Sequence, residues 1–242
     1  VINIITKKGT EGELEFESFV GGTSGFTSGE DFDYKLAQSV AGGNEKVQGR
    51  ASVAYTKTQG YFDANGDIVT PDITQGSTPF NETIELLGNL QINLAEGQRL
   101  NLLAQYYDSQ QDSPYGLYFE KDSNGEYQFV DVREGYSADR QHGTERVMLS
   151  AAYSNDDFLA HQLIAELSYR TEDHTFSPYT SAGSDTLKTS SSSQSNDILA
   201  IKLAWNKSFG KEAVTKGTAG YIDKFDSENE NYDQNNTKER GR

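Results

Sequence analysis

Apolar and polar residues alternate with a period of two along several long stretches of the chain. Between residues 83 and 94, apolar residues and Gly88 occupy the even positions, and mostly polar residues occupy the odd ones. A period of two predicts a β-strand with one apolar face. About nine such segments have the expected length and spacing, and they centre on Phe16, Leu36, Val53, Leu90, Leu102, Leu149, Leu167, Leu203 and Ala219.

The connections between these segments alternate in length. Short turns are expected at residues 42–45, 95–98, 155–157 and 210–212. Long polar loops are expected at residues 22–31, 60–81, 108–143 and 171–196. Loops of more than about 15 residues are uncommon in compact soluble domains, but an antiparallel meander collects alternate connections at opposite ends. The pattern therefore predicts an all-β chain, part of a larger transmembrane antiparallel β-barrel, with short periplasmic turns and long extracellular loops.

Composition is compatible with this architecture. Only 34% of the residues are hydrophobic, and the mean hydropathy is −0.71. The 14 Tyr and 12 Phe are nevertheless too many aromatic residues for a disordered coil. There is no run of about 18 apolar residues, which a transmembrane helix would need, but a barrel strand needs only about 9–11. The net charge of −16 argues against a nucleic-acid partner, because phosphates would be repelled.

The first residues do not have the features of a secretory signal. The chain begins with Val1 rather than Met, and it lacks a basic start and a small-residue cleavage site. It also contains no Cys, so the redox compartment cannot be inferred from disulfides. We therefore expect the chain to be an internal part of a longer protein.

Aromatic residues near the strand ends suggest contact with a membrane interface. An amphipathic ring is stable at the boundary between lipid and water, and the candidates are Tyr55, Tyr106, Tyr153, Tyr169 and Trp205. The alternative is an ordinary soluble β-sandwich, in which these rings and the apolar rows would pack in a dry core. The alternation of loop lengths favours the barrel.

Several stretches resemble one family of membrane proteins. Residues 1–9 resemble the end of the plug domain in TonB-dependent outer-membrane receptors, and a charged alternating strand follows at residues 13–17. The resemblance implies that residues 1–10 end the plug and that residues 11–242 form the first part of the barrel. Further stretches are similar to the ferric aerobactin receptor branch of this family, at residues 43–50, 61–67, 105–110, 115–117 and 190–197.

The resemblance implies a function in the outer membrane of a Gram-negative cell. The parent protein would have a plug, an energy-coupling box and a barrel of about 22 strands. It would take up a ferric siderophore of the hydroxamate-citrate type, such as aerobactin, with energy from the TonB complex. Its other partners would be outer-membrane lipid and lipopolysaccharide. Iron would be carried only within the ligand, so we expect no cofactor and no enzymatic activity. The alternatives are a receptor for cobalamin, haem or a sugar, or a soluble extracellular β-sandwich binding module.

Candidate ligand-contacting residues lie in the third and fourth long loops and at the adjacent strand ends. A concave site needs aromatic contact area, and an anionic ferric chelate needs cationic donors. These criteria select Tyr107, Tyr115, Tyr118, Phe119, Arg133, Arg140, Arg146, Arg170, Phe176 and Tyr179. The alternative for each aromatic residue is packing within its loop. For each arginine it is an ion pair within an acidic loop.

Other motifs carry weaker signals. Residues 63–67 match the start of a calcium-binding EF-hand loop, but the twelfth position is Thr74 instead of Glu, so an Asn-Gly turn explains them better. The Asn124-Gly125 pair predicts a similar turn. The three histidines lack metal-ligand spacing, and the serines at residues 190–193 predict a flexible loop rather than a nucleophile. We expect neither a metal site nor a catalytic residue.

Overall fold

The computed structural model describes residues 12–27, 29–69, 79–137, 141–176, 179–182, 187–209 and 212–233. Every named element in these ranges is a β-strand. No helix in the described part of the chain is long and apolar enough to cross a membrane. The predicted plug end at residues 1–10 lies outside the described residues.

The strands form one large antiparallel sheet and one separate hairpin. Their bounds are β1 (Gly12–Thr23), β2 (Asp33–Gly43), β3 (Val47–Thr58), β4 (Asn81–Ala95), β5 (Gln98–Gln111), β6 (Tyr115–Lys121), β7 (Tyr127–Glu134), β8 (Gly143–Phe158), β9 (His161–Thr175), β10 (Tyr179–Ala182), β11 (Leu187–Phe209) and β12 (Glu212–Asp233). The order in the large sheet is β1-β2-β3-β4-β5-β8-β9-β11-β12, and the short β10 pairs with the start of β11. Strands β6 and β7 pair only with each other among the described strands.

The nine predicted segment centres all fall in strands of the large sheet, which we call the wall. Register partners align the apolar residues of neighbouring strands into rows. One row connects Leu90, Leu102, Ala151, Leu167 and Ile201 across β4, β5, β8, β9 and β11. The period-two pattern of each strand thus becomes a continuous apolar face of the sheet.

The apolar face is the exposed face. Leu102, Leu167 and Ile201 expose 37%, 50% and 57% of their surface, whereas Ser39 and Ser109 on the polar face expose only 8% and 4%. In a soluble sandwich the burial would be the reverse, and no second sheet covers the apolar rows within the described residues. The architecture is therefore part of a transmembrane antiparallel β-barrel wall, as the sequence predicted.

The height of the apolar face matches a membrane. On β4 its apolar positions extend from Ile84 to Leu94, which is about 34 Å along the strand at about 3.4 Å per residue. A strand tilt of about 40° reduces this to a height of about 26 Å, against about 25 Å for the apolar band of an outer-membrane barrel.

One of the predicted short turns is misplaced. Strand β8 continues through residues 155–157, and the chain reverses at Leu159 and Ala160. The Asn155 side chain accepts a hydrogen bond from the backbone N–H of Asp157 at 2.9 Å, beside a β-bulge. Asn and Asp favour this local bond in bulges as well as in turns, so their presence misled the prediction. The turns near residues 44–46 and 96–97 are confirmed, and residues 210–211 lie outside the described part.

The third and fourth loops contain more strand than predicted. The β6–β7 hairpin lies within the third loop, and β9, β10 and β11 occupy much of the fourth. The serines at residues 190–193 belong to β11, so the prediction of a flexible loop there is wrong. The end of β9 and the first part of β11 are polar on both faces, so they show no apolar alternation for a sequence pattern to detect. Strands β6 and β7 contain apolar residues, but with 7 and 8 residues they are shorter than a membrane strand of about 9–11 residues.

The wall is open at both ends. In the described part of the chain, β1 pairs only with β2, and β12 pairs only with β11. Each of these two strands therefore has one edge without a partner strand in that part of the chain.

Candidate functional site

The polar face of the wall carries a row of ionic and aromatic side chains near its loop end. Glu85, Tyr107, Arg146 and Glu172 are successive register partners on β4, β5, β8 and β9. Each lies at an alternate position opposite the apolar rows, so all four point into the side that a closed barrel would enclose. The register therefore places two of the predicted site residues, Tyr107 and Arg146, side by side.

Arg146 is held between two partners. Its guanidinium carbon lies 5.1 Å from the centre of the Tyr107 ring, within the range of a cation–π contact. Its Nη1 atom lies 3.4 Å from Glu172 Oε2, and both side chains are partly buried. The buried Nε atom has no hydrogen-bond partner among the described residues. Arg146 is thus oriented by its neighbours and keeps one donor for a further acceptor.

Arg170 lies one row closer to the membrane centre on the same face. Its register partners are Met148 on β8 and Ile198 on β11. Like Arg146, it has a buried Nε atom without a hydrogen-bond partner in the described part of the chain. The two guanidinium groups lie on adjacent rows of the polar face, and we call this pair the cationic patch. An anionic ligand could accept a hydrogen bond from each remaining donor.

Above this patch the wall is braced by buried polar side chains. The Asn81 amide nitrogen lies 2.9 Å from both Thr83 Oγ1 and Ser109 Oγ. The bond to Ser109 joins β4 to β5 at the level where the long loops begin. Because a satisfied buried network restrains its members, the loop ends of these strands form a firm support.

The long loops pack on one another to form a collar above the wall, made of residues 24–27, 29–32, 59–69, 79–80 and 111–115. The Tyr115 hydroxyl donates a hydrogen bond to Glu30 Oε2 at 3.0 Å, and the Tyr115 and Phe80 rings lie 5.4 Å apart. Backbone bonds add to these contacts, since the Gly60 N–H donates to Glu30 and the Asp112 N–H donates to Phe80. Tyr115 therefore fixes the base of the β6–β7 hairpin to two earlier loops.

Three other predicted residues lie on the β6–β7 hairpin and contact each other or nearby hairpin residues. The Arg133 guanidinium carbon lies 3.7 Å from the centre of the Tyr118 ring, and its Nε atom lies 2.9 Å from Asp131. Phe119 packs edge to face with Phe129, with ring centres 5.8 Å apart. The ligand role predicted for these side chains stays a prediction, and their observed contacts are those of hairpin packing.

The remaining predicted residues belong to the fourth loop or lie outside the residues that the structure describes. Phe176 packs against His174, with ring centres 4.2 Å apart, and its N–H donates to Ser192 at 2.9 Å. Tyr179 begins β10 opposite Ser190. Arg140 lies outside the described residues, as do residues 177–178 just before Tyr179.

A pair of histidines at the loop end was not anticipated from the sequence. The His142 and His174 rings are 4.9 Å apart, although the two residues are 32 positions apart in the chain. His142 lies outside the membrane-crossing strands, and burial, followed by its proximity to His174, lowers its pKa below the usual value. No group of three or more metal-binding side chains occurs among the described residues. The two rings pack edge to face, and the lowered pKa of His142 favours its neutral form.

Two acidic loop motifs are turns, as predicted. Asp63 Oδ1 accepts hydrogen bonds from the N–H groups of Asn65 and Asp67, at 2.8 and 3.0 Å. Gly66 follows with a φ of 87°, a left-handed conformation that favours glycine. Asp122 accepts equivalent bonds around Asn124 and Gly125. The Asp63 carboxylate is thus used by its own backbone.

A separate concavity lies on the opposite face of the wall. It has a volume of about 830 Å³ and is lined mainly by apolar-face residues over the small side chains of Ala51, Gly88 and Ala104. Its lining is apolar, unlike the cationic patch, so the concavity is separate from the candidate site.

Comparison with known proteins identifies relatives over most of the chain. No family model matches. The chain is 39% identical to the ferric aerobactin receptor of Klebsiella pneumoniae and 38% identical to that of Escherichia coli, in each case over 211 residues and 85% of this chain. It is 37% identical to the rhizobactin receptor of Rhizobium meliloti (strain 1021) over 210 residues, or 84% of this chain.

The matches cover only part of the relatives. The aligned residues make up 28% of the Klebsiella receptor, 29% of the Escherichia receptor and 28% of the rhizobactin receptor. The chain therefore spans less than a third of the length of the curated relatives it matches. Over that span, it is related to siderophore receptors of the ferric aerobactin branch, as its sequence motifs indicated.

Proposed function

We propose that this chain is the part of an outer-membrane receptor barrel that receives a ferric siderophore of the hydroxamate-citrate type, such as aerobactin. The observation that carries the proposal is the 39% identity over 85% of the chain with a ferric aerobactin receptor. The wall supports it, because an exposed apolar band suits outer-membrane lipid. The long-loop end would face the medium and lipopolysaccharide.

The chemistry of the candidate site suits capture of an anionic chelate. Arg146 and Arg170 each have a buried guanidinium N–H without a partner among the described residues, and ligand carboxylates would accept these hydrogen bonds. Tyr107 keeps Arg146 in place and offers aromatic contact area. The collar would restrict entry from above. Transport moves the ligand without making or breaking covalent bonds in it, so the site needs no nucleophile, no resident cofactor and no enzymatic step.

Energy for uptake would come from the TonB complex acting on a plug domain. The matched segment is only 28% and 29% of the length of the two ferric aerobactin receptors, which leaves ample sequence for such a domain. The described wall contributes the ligand-facing side and the membrane-facing side of the barrel, and the moving parts of transport would lie elsewhere in the protein.

The proposal can be tested in a full-length receptor that contains this chain. Cells without other siderophore receptors would be supplied with radiolabelled ferric aerobactin, and binding and uptake would be measured. Arg146→Gln and Arg170→Gln should each weaken binding at least about tenfold, because a hydrogen bond to a charged group contributes about 1.5–3 kcal/mol. The control is Arg99→Gln, which changes an exposed arginine that pairs with Asp156 at the opposite end of the wall and should leave binding unchanged.

Other outcomes would identify another function. Uptake of cobalamin, haem or a sugar, with no response to ferric siderophores, would assign the scaffold to a different ligand. A protein that stays monomeric without detergent, and whose gel mobility in SDS does not change on boiling, would instead be the soluble binding module.

A further inference from the structure

The turn between β8 and β9 has an unusual composition for a two-residue hairpin turn. Leu159 and Ala160 both have left-handed backbone conformations, with φ of 53° and 59°. Asn and Gly are the residues that favour this geometry, because a side chain with Cβ is strained there. Leu159 nevertheless occupies the first position and exposes 71% of its surface. Local turn preference does not explain an exposed leucine at a strained position.

A β-bulge turns a second apolar side chain to the same side. The register of β8 against β9 shifts between Asn155 and Phe158, so that Phe158 pairs with His161. The added residue reverses the face to which Phe158 would otherwise belong. The Trp205 ring lies 6.4 Å from the Phe158 ring and 5.0 Å from the His161 ring. The bulge thus assembles an aromatic cluster beside Leu159.

This cluster continues the apolar face of the wall. Trp205 is the register partner of Leu163 and follows Ile201 and Leu203 along β11, all on the exposed side. On β9 and β11 the apolar positions end towards the loops at Tyr169 and Leu199, whereas on β4 they continue two rows further, to Ile84. Tilted strands produce this shift. The shift places the β8–β9 turn at the edge of the apolar band that is nearer to the short turns.

The other described short turns are polar. Residues 44–46 are Asn, Glu and Lys, and residues 96–97 are Glu and Gly. Both turns would end in water. Among the short turns that the structure describes, the one at residues 159–160 alone has a large exposed apolar side chain, Leu159, within the turn itself.

We propose that residues 158–161 are a membrane anchor, in which Leu159 and Phe158 insert into the phospholipid of the leaflet on the short-turn side while Trp205 and His161 lie at its interface. The inference rests on the proposed outer-membrane location. Its occupant is phospholipid because the cluster is continuous with the lipid-facing band. Indole rings partition to this boundary, and an adjacent leucine removes its surface from water there.

The test measures the depth of three positions in the full-length receptor that contains this chain, in a cysteine-free background. The present chain has no Cys of its own. Leu159→Cys, Glu96→Cys and Ile201→Cys would each carry an environment-sensitive fluorophore. Quenching would be measured in vesicles of phosphatidylethanolamine and phosphatidylglycerol whose acyl chains are brominated. Heat-modifiable gel mobility would verify that each labelled protein is folded.

The label at residue 201 should be strongly quenched, because Ile201 lies within the band. The label at residue 159 should be quenched at least twofold more than the label at residue 96 in the polar turn. Equal quenching at residues 159 and 96, with residue 201 quenched, would overturn the anchor and leave the proposed function intact. Absence of quenching at residue 201 would overturn the membrane location, and the anchor with it.

Discussion

Arg146 owes its position to neighbours that are distant along the chain. The Tyr107 ring and the Glu172 carboxylate lie on either side of it because the three residues share one row of the register. The alternation within each strand is sufficient to place Tyr107 and Arg170 on the polar face. It did not identify Glu172 as the partner of Arg146, since that contact depends on how β8 and β9 align rather than on the pattern within either strand.

Gly116 offers a test of how the hairpin is fixed to the segment that follows it. A Cβ atom at this position would overlap the carbonyl group of Tyr136, whose ring packs on Tyr118 at 4.9 Å. Gly116→Ala should therefore displace the segment and destabilise the hairpin by about 1–3 kcal/mol, the usual cost of overpacking. Hydrogen exchange of the Gly135 N–H, which donates to Pro114 at 2.9 Å, should accelerate at least about fivefold.

A loop glycine with free space provides the control. A Cβ atom at Gly29 would meet nothing within 4 Å, so Gly29→Ala should leave the exchange rate at Gly135 unchanged. Unaltered exchange in both variants would mean that the close approach of residues 116 and 136 does not restrain the hairpin.

At the scale of the strand, the two faces respond to charge differently. Leu102 lies in the middle of the apolar band, and the adjacent Asn101 points to the polar face. Leu102→Arg should reduce the free energy of unfolding by about 2–4 kcal/mol, because the guanidinium would face hydrocarbon. Asn101→Arg should change it by less than about 0.5 kcal/mol, as for a typical substitution in contact with water.

Urea titration of the full-length receptor in vesicles would measure both values. Because the two positions are neighbours in one strand, the matched pair tests which face of β5 meets lipid, not only whether β5 is a strand. A similar cost for both substitutions would contradict the assignment of the faces.

The strands that cross the membrane were predictable from the sequence, because lipid requires an apolar face. The strands outside the membrane were not. Alternation located the nine membrane strands, since one side of each must be apolar to cross the bilayer. Strands β6, β7 and β10 and the first part of β11 do not have to cross lipid. The first three are too short for a membrane strand and the last is polar on both faces, so the sequence predicted loops there. The turn at residues 159–160 was missed for a related reason. Its residues are not turn formers, and the better local signal, at residues 155–157, belongs to a bulge.

The two open edges affect the behaviour of the whole molecule. Strands β1 and β12 each present one edge with no partner strand in the described part of the chain, and unpaired edges are templates for association. Expressed alone in detergent-free buffer, the chain should aggregate. Size-exclusion chromatography would detect this, and a sharp, stable monomer peak would contradict it. The control is the full-length receptor in detergent micelles, where the remaining strands would close the barrel.

The sequence by itself determined the class of architecture, the order of the membrane strands and the branch of receptors to which the chain is related. It could do so because a lipid-facing wall repeats one constraint at every second residue, and because the motifs of the family are local. It also selected the aromatic and cationic residue types that an anionic chelate requires.

The tertiary structure decided which of those residues meet. Tyr107 and Arg146 lie together, whereas Tyr118 and Arg133 contact each other on a separate hairpin. The bond from Tyr115 to Glu30 spans 85 positions, and the His142–His174 pair depends on the alignment of β8 with β9. Such contacts follow from strand register and loop packing, which are set by the whole sheet at once, so no local pattern encodes them.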